Sequence, residues 1–208
     1  MTEYTTREFL DVYGNVNNTI DYREGITRIV VDNNFKVTAY KNEKIFKVFT
    51  MAQRPRAKTW VKHGKCTYYL NTSSYDSVVY YFNMGKLHRV DKPARITNWA
   101  DKHISLCYFN KNKRHRDDGP ASITTDPNGK LHEEMYFINN KLHRDGEPAN
   151  IIWEDGQIAE TYWYHHGKRH RDGGPASIIL KDGQIIETEW YHHCKKYKPL
   201  LTKRAVSI

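Results

Sequence analysis

Four short segments of this chain each combine a histidine, an arginine and an aspartate, followed by a proline and an alanine. An imidazole, a guanidinium and a carboxylate side by side can exchange protons, bind an anion or pair with one another. The histidines recur at intervals of 27, 28 and 27 residues. The segments, named here the HRxDGPA loops, are residues 88–94, 115–121, 143–149 and 170–176, and they begin with the pairs His88 and Arg89, His115 and Arg116, His143 and Arg144, and His170 and Arg171.

The four loop arginines allow two interpretations. Equivalent residues of successive hairpins lie two strand spacings apart, about 9.6 Å. The four arginines Arg89, Arg116, Arg144 and Arg171 could therefore form a regular row that binds phosphate groups. Alternatively, each arginine pairs with an aspartate of its own loop or of the next loop. In repeat proteins the signature residues usually form contacts between neighbouring units, so we favour the structural interpretation.

The repetition also argues against catalysis. His170, Asp172 and Ser177 could be assembled into a triad, but four equivalent loops do not single out one nucleophile. The sequence contains no GxSxG, P-loop or HExxH motif. We therefore predict that the protein is not an enzyme.

Two histidine pairs, His165-His166 and His192-His193, also lie 27 residues apart, and Cys194 follows the second. A zinc site is conceivable with these residue types. However, adjacent residues of a strand point to opposite faces, and neither a carboxylate nor a CxxC motif completes a ligand set. The prediction is that there is no metal and no cofactor.

Positive charge is concentrated in the middle of the chain. Residues 56–110 carry nine basic and three acidic side chains, which is +6 of the total net charge of +9. Such a surface can bind nucleic acid or anionic phospholipid, or it can protect a sheet edge from aggregation. The candidate anion-binding residues are Arg54, Arg56, Lys58, Lys62, Lys65, Lys86, Arg89, Lys92 and Arg95.

Turn signals indicate how these side chains are positioned. Asn128-Gly129, Asp155-Gly156 and Asp182-Gly183 stand between β-prone segments, which is typical of tight hairpins with positive φ at both turn residues. A second set of turns follows an aromatic residue by four positions. Its seven members are predicted at residues 44, 64, 85, 112, 140, 167 and 194. The fold class is therefore all-β: an elongated antiparallel meander of about seven β-hairpin repeats.

Two rows of aromatic residues follow from the same repeat. Because adjacent strand residues alternate, one row should lie on each face of the sheet. Cross-strand packing of these rings is the favoured interpretation, and base stacking on single-stranded nucleic acid is the alternative. The first row is Tyr81, Tyr108, Tyr136, Trp163 and Trp190, and the second is Phe82, Phe109, Phe137, Tyr164 and Tyr191.

The two ends of the chain differ from the repeats. Thr5 or Thr6 is expected to cap a short helix through residues 7–13 that Gly14 closes, and this helix would cover the open first strand. The predicted organisation is a cap segment at 1–26, a β-hairpin array at 27–198 and a tail at 199–208. The 27-residue units begin at about residue 85.

The cysteine content and the hydropathy point to a reducing compartment. The three cysteines are odd in number and form no CxxC pair, which argues against a disulfide framework. Neither a signal peptide nor a transmembrane segment is evident, so we expect a cytoplasmic protein.

The repeat resembles MORN repeats. The residues that match their pattern are Trp163 with Gly167-Lys168, Tyr81 with Gly85-Lys86, and the turns at Asp155 and Asp182. The longer HRxDGPA stretch resembles repeats in uncharacterised proteins of giant DNA viruses and large phages. The resemblance implies a non-catalytic scaffold for protein–protein interaction, such as a viral accessory or virion component in the host cytoplasm. The alternative is nucleic-acid or anionic-phospholipid binding through the basic surface at 54–95, and a homo-oligomer is also possible.

Overall fold

The computed structural model describes residues 1–14, 16, 25–54, 59–70 and 72–198. Its N-terminal part contains one helix and six strands that follow one another in the sheet. They are β1 (Thr2–Tyr4), α1 (Thr6–Tyr13), β2 (Arg28–Val31), β3 (Lys36–Lys41), β4 (Lys44–Gln53), β5 (Trp60–Tyr69) and β6 (Tyr75–Asn83).

The repeat part contains shorter strands in a recurring order. They are β7 (Lys86–Leu87), β8 (Arg95–Trp99), β9 (Ile104–Cys107), β10 (Phe109–Asn110), β11 (Lys113–Arg114), β12 (Ser122–Thr125), β13 (Leu131–Met135), β14 (Phe137–Ile138), β15 (Lys141–Leu142), β16 (Asn150–Glu154), β17 (Gln157–Tyr162), β18 (Tyr164–His165), β19 (Lys168–Arg169), β20 (Ser177–Lys181), β21 (Gln184–His192) and β22 (Lys195–Tyr197).

Sixteen strands form one long antiparallel sheet, which confirms the predicted all-β meander. Its order is β1-β2-β3-β4-β5-β6-β8-β9-β12-β13-β16-β17-β20-β21-β22, with β7 paired to β6. The remaining strands form three separate two-stranded ladders, β10-β11, β14-β15 and β18-β19. Each ladder is the tip of a hairpin whose base belongs to the main sheet.

The predicted N-terminal helix is confirmed. Thr5 caps α1, since its side chain accepts a hydrogen bond from the backbone N–H of Glu8 while the Glu8 carboxylate accepts from the Thr5 N–H. Gly14 ends the helix with φ at +69°. Strand β1 precedes the helix and pairs with β2, which sequence reasoning did not predict.

The apolar core lies beneath this helix. Phe9 of α1 is fully buried with Ile29, Val37 and Phe49 of the first strands. Tyr13 packs edge-on against Trp60, with ring centroids 5.5 Å apart. The helix therefore covers a face of the first strands. The cap interpretation placed it over the edge of the first strand, but in the structure β1 pairs along that edge of β2.

The predicted turn at Gly64 is wrong. Strand β5 runs without interruption through this residue, and its pairing with β4 shifts from Cys66 opposite Phe49 to His63 opposite Thr50. Gly64 adopts φ +71°, which lets the strand accommodate extra residues as a bulge and remain in the sheet. Glycine here is a signal for a bulge, although it resembles a turn in the sequence.

The other six turns predicted four positions after an aromatic residue are present, and the first of them lies at Asn42-Glu43. In each of these six turns both residues have positive φ, as in Asn139-Asn140 and His166-Gly167. The same is true of Asp155-Gly156 and Asp182-Gly183, as predicted. In the turn at Asn128-Gly129 only the glycine has positive φ, and Asp126 closes this longer turn by bonding the N–H groups of Asn128 and Lys130.

The repeat part buries alanine where the N-terminal part buries large residues. The alanine that ends each HRxDGPA loop is fully inaccessible to solvent, and its carbonyl accepts a hydrogen bond from the backbone of the first-row aromatic residue. The four pairs are Ala94 with Tyr81, Ala121 with Tyr108, Ala149 with Tyr136, and Ala176 with Trp163. The predicted tail at 199–208 lies outside the described residues.

Candidate functional site

The arginine of every HRxDGPA loop lies over the ring of the first-row aromatic residue of its own unit. This placement is a cation–π contact, in which the guanidinium meets the negative face of the ring. The distances from Cζ to the ring centroid are 3.8 Å for Arg89 and Tyr81, 4.2 Å for Arg116 and Tyr108, 3.9 Å for Arg144 and Tyr136, and 3.9 Å for Arg171 and Trp163.

The same arginines also hold the loop backbone. Nη1 of Arg171 lies 3.2 Å from the carbonyl oxygen of Pro175, and Arg89 and Arg116 make the equivalent contacts at 3.4 Å. Arg144 instead forms an ion pair with Glu147. The structural interpretation of the arginines is thus supported. Their common partner is an aromatic ring, and the predicted pairing with an aspartate of the same loop occurs at Arg116, whose Nε lies 3.3 Å from the Asp118 carboxylate.

Three of the four loop histidines connect one unit to the next, and Nδ1 of the fourth, His88, is buried without a hydrogen-bond partner in the described part of the chain. Nδ1 of His115 lies 3.4 Å from the backbone nitrogen of Asn139, which belongs to the following turn and donates the hydrogen bond. His143 accepts in the same way from the N–H of His166, and His170 from that of His193, both at 3.4 Å. His63, which sequence reasoning did not single out, makes the same contact with Met84 at 3.3 Å.

The predicted loop aspartates face these histidines. Nε2 lies 3.2 Å from the carboxylate of Asp117 in the second loop, 3.5 Å from that of Asp145 in the third and 3.4 Å from that of Asp172 in the fourth. Nδ1 accepts a hydrogen bond, so Nε2 carries the proton of the neutral ring and points it towards the carboxylate. The histidine of each loop is therefore oriented from both sides.

Two groups of three histidines converge at the last unit boundaries. His165 and His166 lie beside His143, with ring centroids 5.0 Å and 4.1 Å from the His143 ring. The expectation that adjacent histidines point apart is wrong here, because His166 is a turn residue with φ +48° rather than a strand residue. Their own rings are 4.5 Å apart.

The second group repeats this geometry one unit later. His192 and His193 lie 4.9 Å and 4.3 Å from the ring of His170. In each group the nitrogen atoms that could bind a metal all lie within 4.8 Å of one another. Cys194, which the sequence places next to these histidines, is exposed and does not belong to the described group.

Both groups shift the pKa of a member downward. Burial, followed by repulsion from His166, lowers the pKa of His143 below the ordinary histidine value. Loss of solvent contact and the neighbouring His170 and His192 lower the pKa of His193 in the same direction. These rings therefore favour the neutral form, whose free nitrogen can accept a proton or bind a metal.

The nine predicted anion-binding residues have different environments. Lys62 is buried, and its ammonium lies 3.1 Å from the hydroxyl of Tyr68 and over the ring of Phe82. Arg89 covers Tyr81, and Arg95 is half-buried beside Cys107. Of the others, Arg56 and Lys58 lie outside the described residues, while Arg54, Lys65, Lys86 and Lys92 are exposed.

An aliphatic row that sequence reasoning missed lies at the other end of the hairpins. Each member is the first or second residue of the strand that follows the Asn128-Gly129, Asp155-Gly156 or Asp182-Gly183 turn or its equivalent at Asp101-Lys102, and the four recur at intervals of 27 residues. Its members, named here the aliphatic row, are Ile104, Leu131, Ile158 and Ile185. Ile104 is 40% exposed, Ile158 43% and Ile185 60%. The 27-residue spacing was a sufficient signal to find them.

A groove opens beside this row between two neighbouring hairpin ends. Its walls include Leu131 and Trp153, and its volume is about 360 Å³. Trp153 pairs directly with Ile158 across β16 and β17. The row therefore combines exposed aliphatic side chains with a recess that could accept a side chain of another molecule.

Comparison with known proteins found no family model that matches the chain and no curated protein that matches it. Within the described residues, no helix has both the length and the apolar character that crossing a membrane requires.

Proposed function

We propose that this protein is a non-catalytic repeat scaffold that binds a partner protein through the aliphatic row. The observation that carries the proposal is the recurrence of exposed Ile104, Ile158 and Ile185 at equivalent positions of a regular array. Single exposed aliphatic residues are ordinary on a protein surface, whereas an ordered series of them is typical of an interaction site.

The HRxDGPA loops support the non-catalytic part of the proposal. Their arginines are engaged with rings, and three of their histidines are engaged with the turn of the next unit. Arginines that cover a ring of their own unit and histidines that link to the next unit at three places are explained by the architecture. We infer that their repetition serves the stability of the array and not a reaction.

The spacing of the aliphatic row suggests what it binds. Equivalent residues of successive hairpins lie two strand spacings apart, about 9.6 Å. Residues seven positions apart on an α-helix are separated by about 10.5 Å along its axis. An amphipathic helix laid across the hairpins could therefore place one apolar side chain against each unit.

Affinity capture with point variants tests this proposal. Ile158→Asp combined with Ile185→Asp introduces charge into the aliphatic row, while Val90→Asp introduces it at a loop residue that is 69% exposed. We expect the double variant to lose a partner that the wild type and Val90→Asp both retain. Equal capture by all three proteins would contradict the proposal.

A salt titration separates this function from the alternative, which is binding of nucleic acid or anionic phospholipid by the basic side chains. Phosphate contacts release counterions, so affinity would fall steeply with salt, whereas an apolar contact would persist. Lys65→Glu combined with Lys86→Glu changes two exposed residues of that set. Loss of binding in this variant, together with a steep salt dependence, would favour the alternative.

The kinship with MORN proteins, a viral origin, a cytoplasmic location and self-association are proposals as well. They are supported by the shared turn motifs, by the buried free Cys66 and Cys107, and by the position of β1 and β22 at the two ends of the sheet formed by the described residues. Sedimentation of the purified protein at several concentrations tests self-association directly.

A further inference from the structure

The two groups of three histidines are not required by the repeat architecture. In the second loop, His115 makes the same hydrogen bond to the following turn, and the turn residue there is Asn139. The position before it is occupied by Ile138. The contact between units therefore forms without any turn histidine, so the architecture does not account for His165, His166, His192 and His193.

The additional histidines lie where a loop histidine already directs a lone pair. Nδ1 of His143 accepts from the backbone N–H of His166, so its lone pair points towards the turn, and the ring of His165 lies 5.0 Å from the His143 ring. His170 has the same relation to the turn that contains His192 and His193. The result is two sites of matching composition, each with three imidazoles on two neighbouring units.

We propose that each histidine group binds a divalent transition-metal ion of the class that prefers imidazole ligands, with Zn²⁺ as the representative. Three histidines that leave one position open are an established zinc ligand set, whereas Mg²⁺ and Ca²⁺ select oxygen ligands. The proposal is independent of the scaffold function.

Nδ1 of His143 and of His170 is the ligand atom at the two sites. It holds the lone pair, whereas Nε2 carries the proton and faces Asp145 or Asp172 at 3.5 Å and 3.4 Å. A histidine that binds metal through one nitrogen commonly donates its other N–H to a carboxylate, which fixes the ring. The metal replaces the 3.4 Å hydrogen bond from the turn, and the released backbone N–H then bonds to water.

Ring rotation completes each site. Zinc–nitrogen bonds are about 2.0–2.1 Å long, so the ligand atoms must approach more closely than the 4.8 Å within which they now lie. The side chains of His165, His166, His192 and His193 are exposed, which leaves their rings free to turn. The bound ion then joins the loop of one unit to the turn of the next, at the last two unit boundaries.

Zinc titration of the full chain under reducing conditions tests the proposal. We expect two Zn²⁺ per chain by calorimetry and by metal analysis after gel filtration, with Mg²⁺ giving no binding. His166→Asn should retain one ion, and the combination of His166→Asn with His193→Asn should retain neither at the wild-type affinity. Asparagine is the residue that stands at 139 in the equivalent turn, so these variants should fold normally, as circular dichroism can verify.

Two controls make the result specific. His132→Asn disrupts the pair of His103 and His132, whose rings are 5.5 Å apart but which lack a third histidine, and it should still bind two ions. Cys194→Ser should also bind two, and Co²⁺ in the wild type should show no thiolate charge-transfer absorption. Such absorption, lost in Cys194→Ser, would overturn the three-histidine assignment.

The carboxylates provide a further test of the geometry. Asp145→Asn and Asp172→Asn should keep both ions but weaken each affected site by roughly 10- to 100-fold, because the carboxylate orients the ligand without touching the metal. If the variant with both turn substitutions, His166→Asn and His193→Asn, bound zinc as tightly and with the same stoichiometry as the wild type, the proposal would be wrong.

Discussion

The two parts of this sheet bury their interiors by different means. In the N-terminal part, α1 and the first strands enclose large apolar side chains such as Phe9, Ile29 and Phe49, all fully buried. In the repeat part, the fully buried positions include the alanines that end the HRxDGPA loops, and aromatic rings are covered by guanidinium groups. One continuous sheet thus combines an apolar core that a helix covers with a series of small contacts between guanidinium groups and aromatic rings.

This difference shows how a polar sequence can form a long sheet. Mean hydropathy is -0.82, so apolar residues are too few to provide a thick core along the whole array. The repeat part compensates with arginine–ring contacts that recur in successive units and with histidines of three loops that bridge to the next unit, so its stability accumulates along the array. The N-terminal part, in contrast, depends on a few large side chains.

The largest effect on this comparison is expected in the N-terminal core. Phe49→Ala removes a fully buried ring between β3 and β5, and such truncations typically cost about 3–5 kcal/mol of unfolding free energy. Urea unfolding followed by circular dichroism measures this cost. The exposed Phe35 is the matched control, and Phe35→Ala should cost much less.

A smaller loss is expected when a buried alanine of the repeat part is enlarged. Ala149→Leu inserts three carbon atoms at a site with no solvent access, and overpacking of this kind costs about 1–3 kcal/mol. Ala159→Leu, at a half-buried position of β17, is the control. Equal unfolding midpoints for the two variants would show that the loop alanine is not tightly packed.

The smallest effect on stability is expected at the contact between a loop arginine and the aromatic ring that it covers. Arg171→Lys keeps the charge but loses the planar group that covers Trp163 and contacts the Pro175 carbonyl. The expected loss is about 0.5–1 kcal/mol, the typical strength of an exposed cation–π contact. Thermal unfolding measures it, with Lys181→Arg on an exposed strand end as the control. Equal unfolding temperatures for these two variants would contradict a stabilising role for the contact between Arg171 and Trp163.

Much of the fold could be predicted because the signals are local. The threonine cap, Gly14 and the two-residue turns specify α1 and most hairpins through backbone preferences alone. Gly64 misled the prediction because a positive φ serves a bulge as well as a turn.

The candidate sites were harder to predict, since they depend on which side chains meet across units. Spacing identified the loop arginines as equivalent residues, but it did not indicate that each one lies over an aromatic ring of its own unit. The convergence of His165 and His166 on His143 was missed because a strand was assumed to continue into the turn. The aliphatic row carried the same 27-residue signal as the loops, yet its exposure could only be seen in the structure.

Removing one complete unit tests most directly whether the signature residues serve to join neighbouring units. Deletion of residues 142–168 takes out 27 residues and connects Lys141 to Arg169, so an HRxDGPA loop again follows its turn. We expect a soluble, shortened array with the same circular dichroism signature and cooperative unfolding, whereas deletion of 142–160 should not fold, because the repeat register is lost. Failure of the 27-residue deletion to fold, or equal behaviour of the two deletions, would contradict this role of the signature residues.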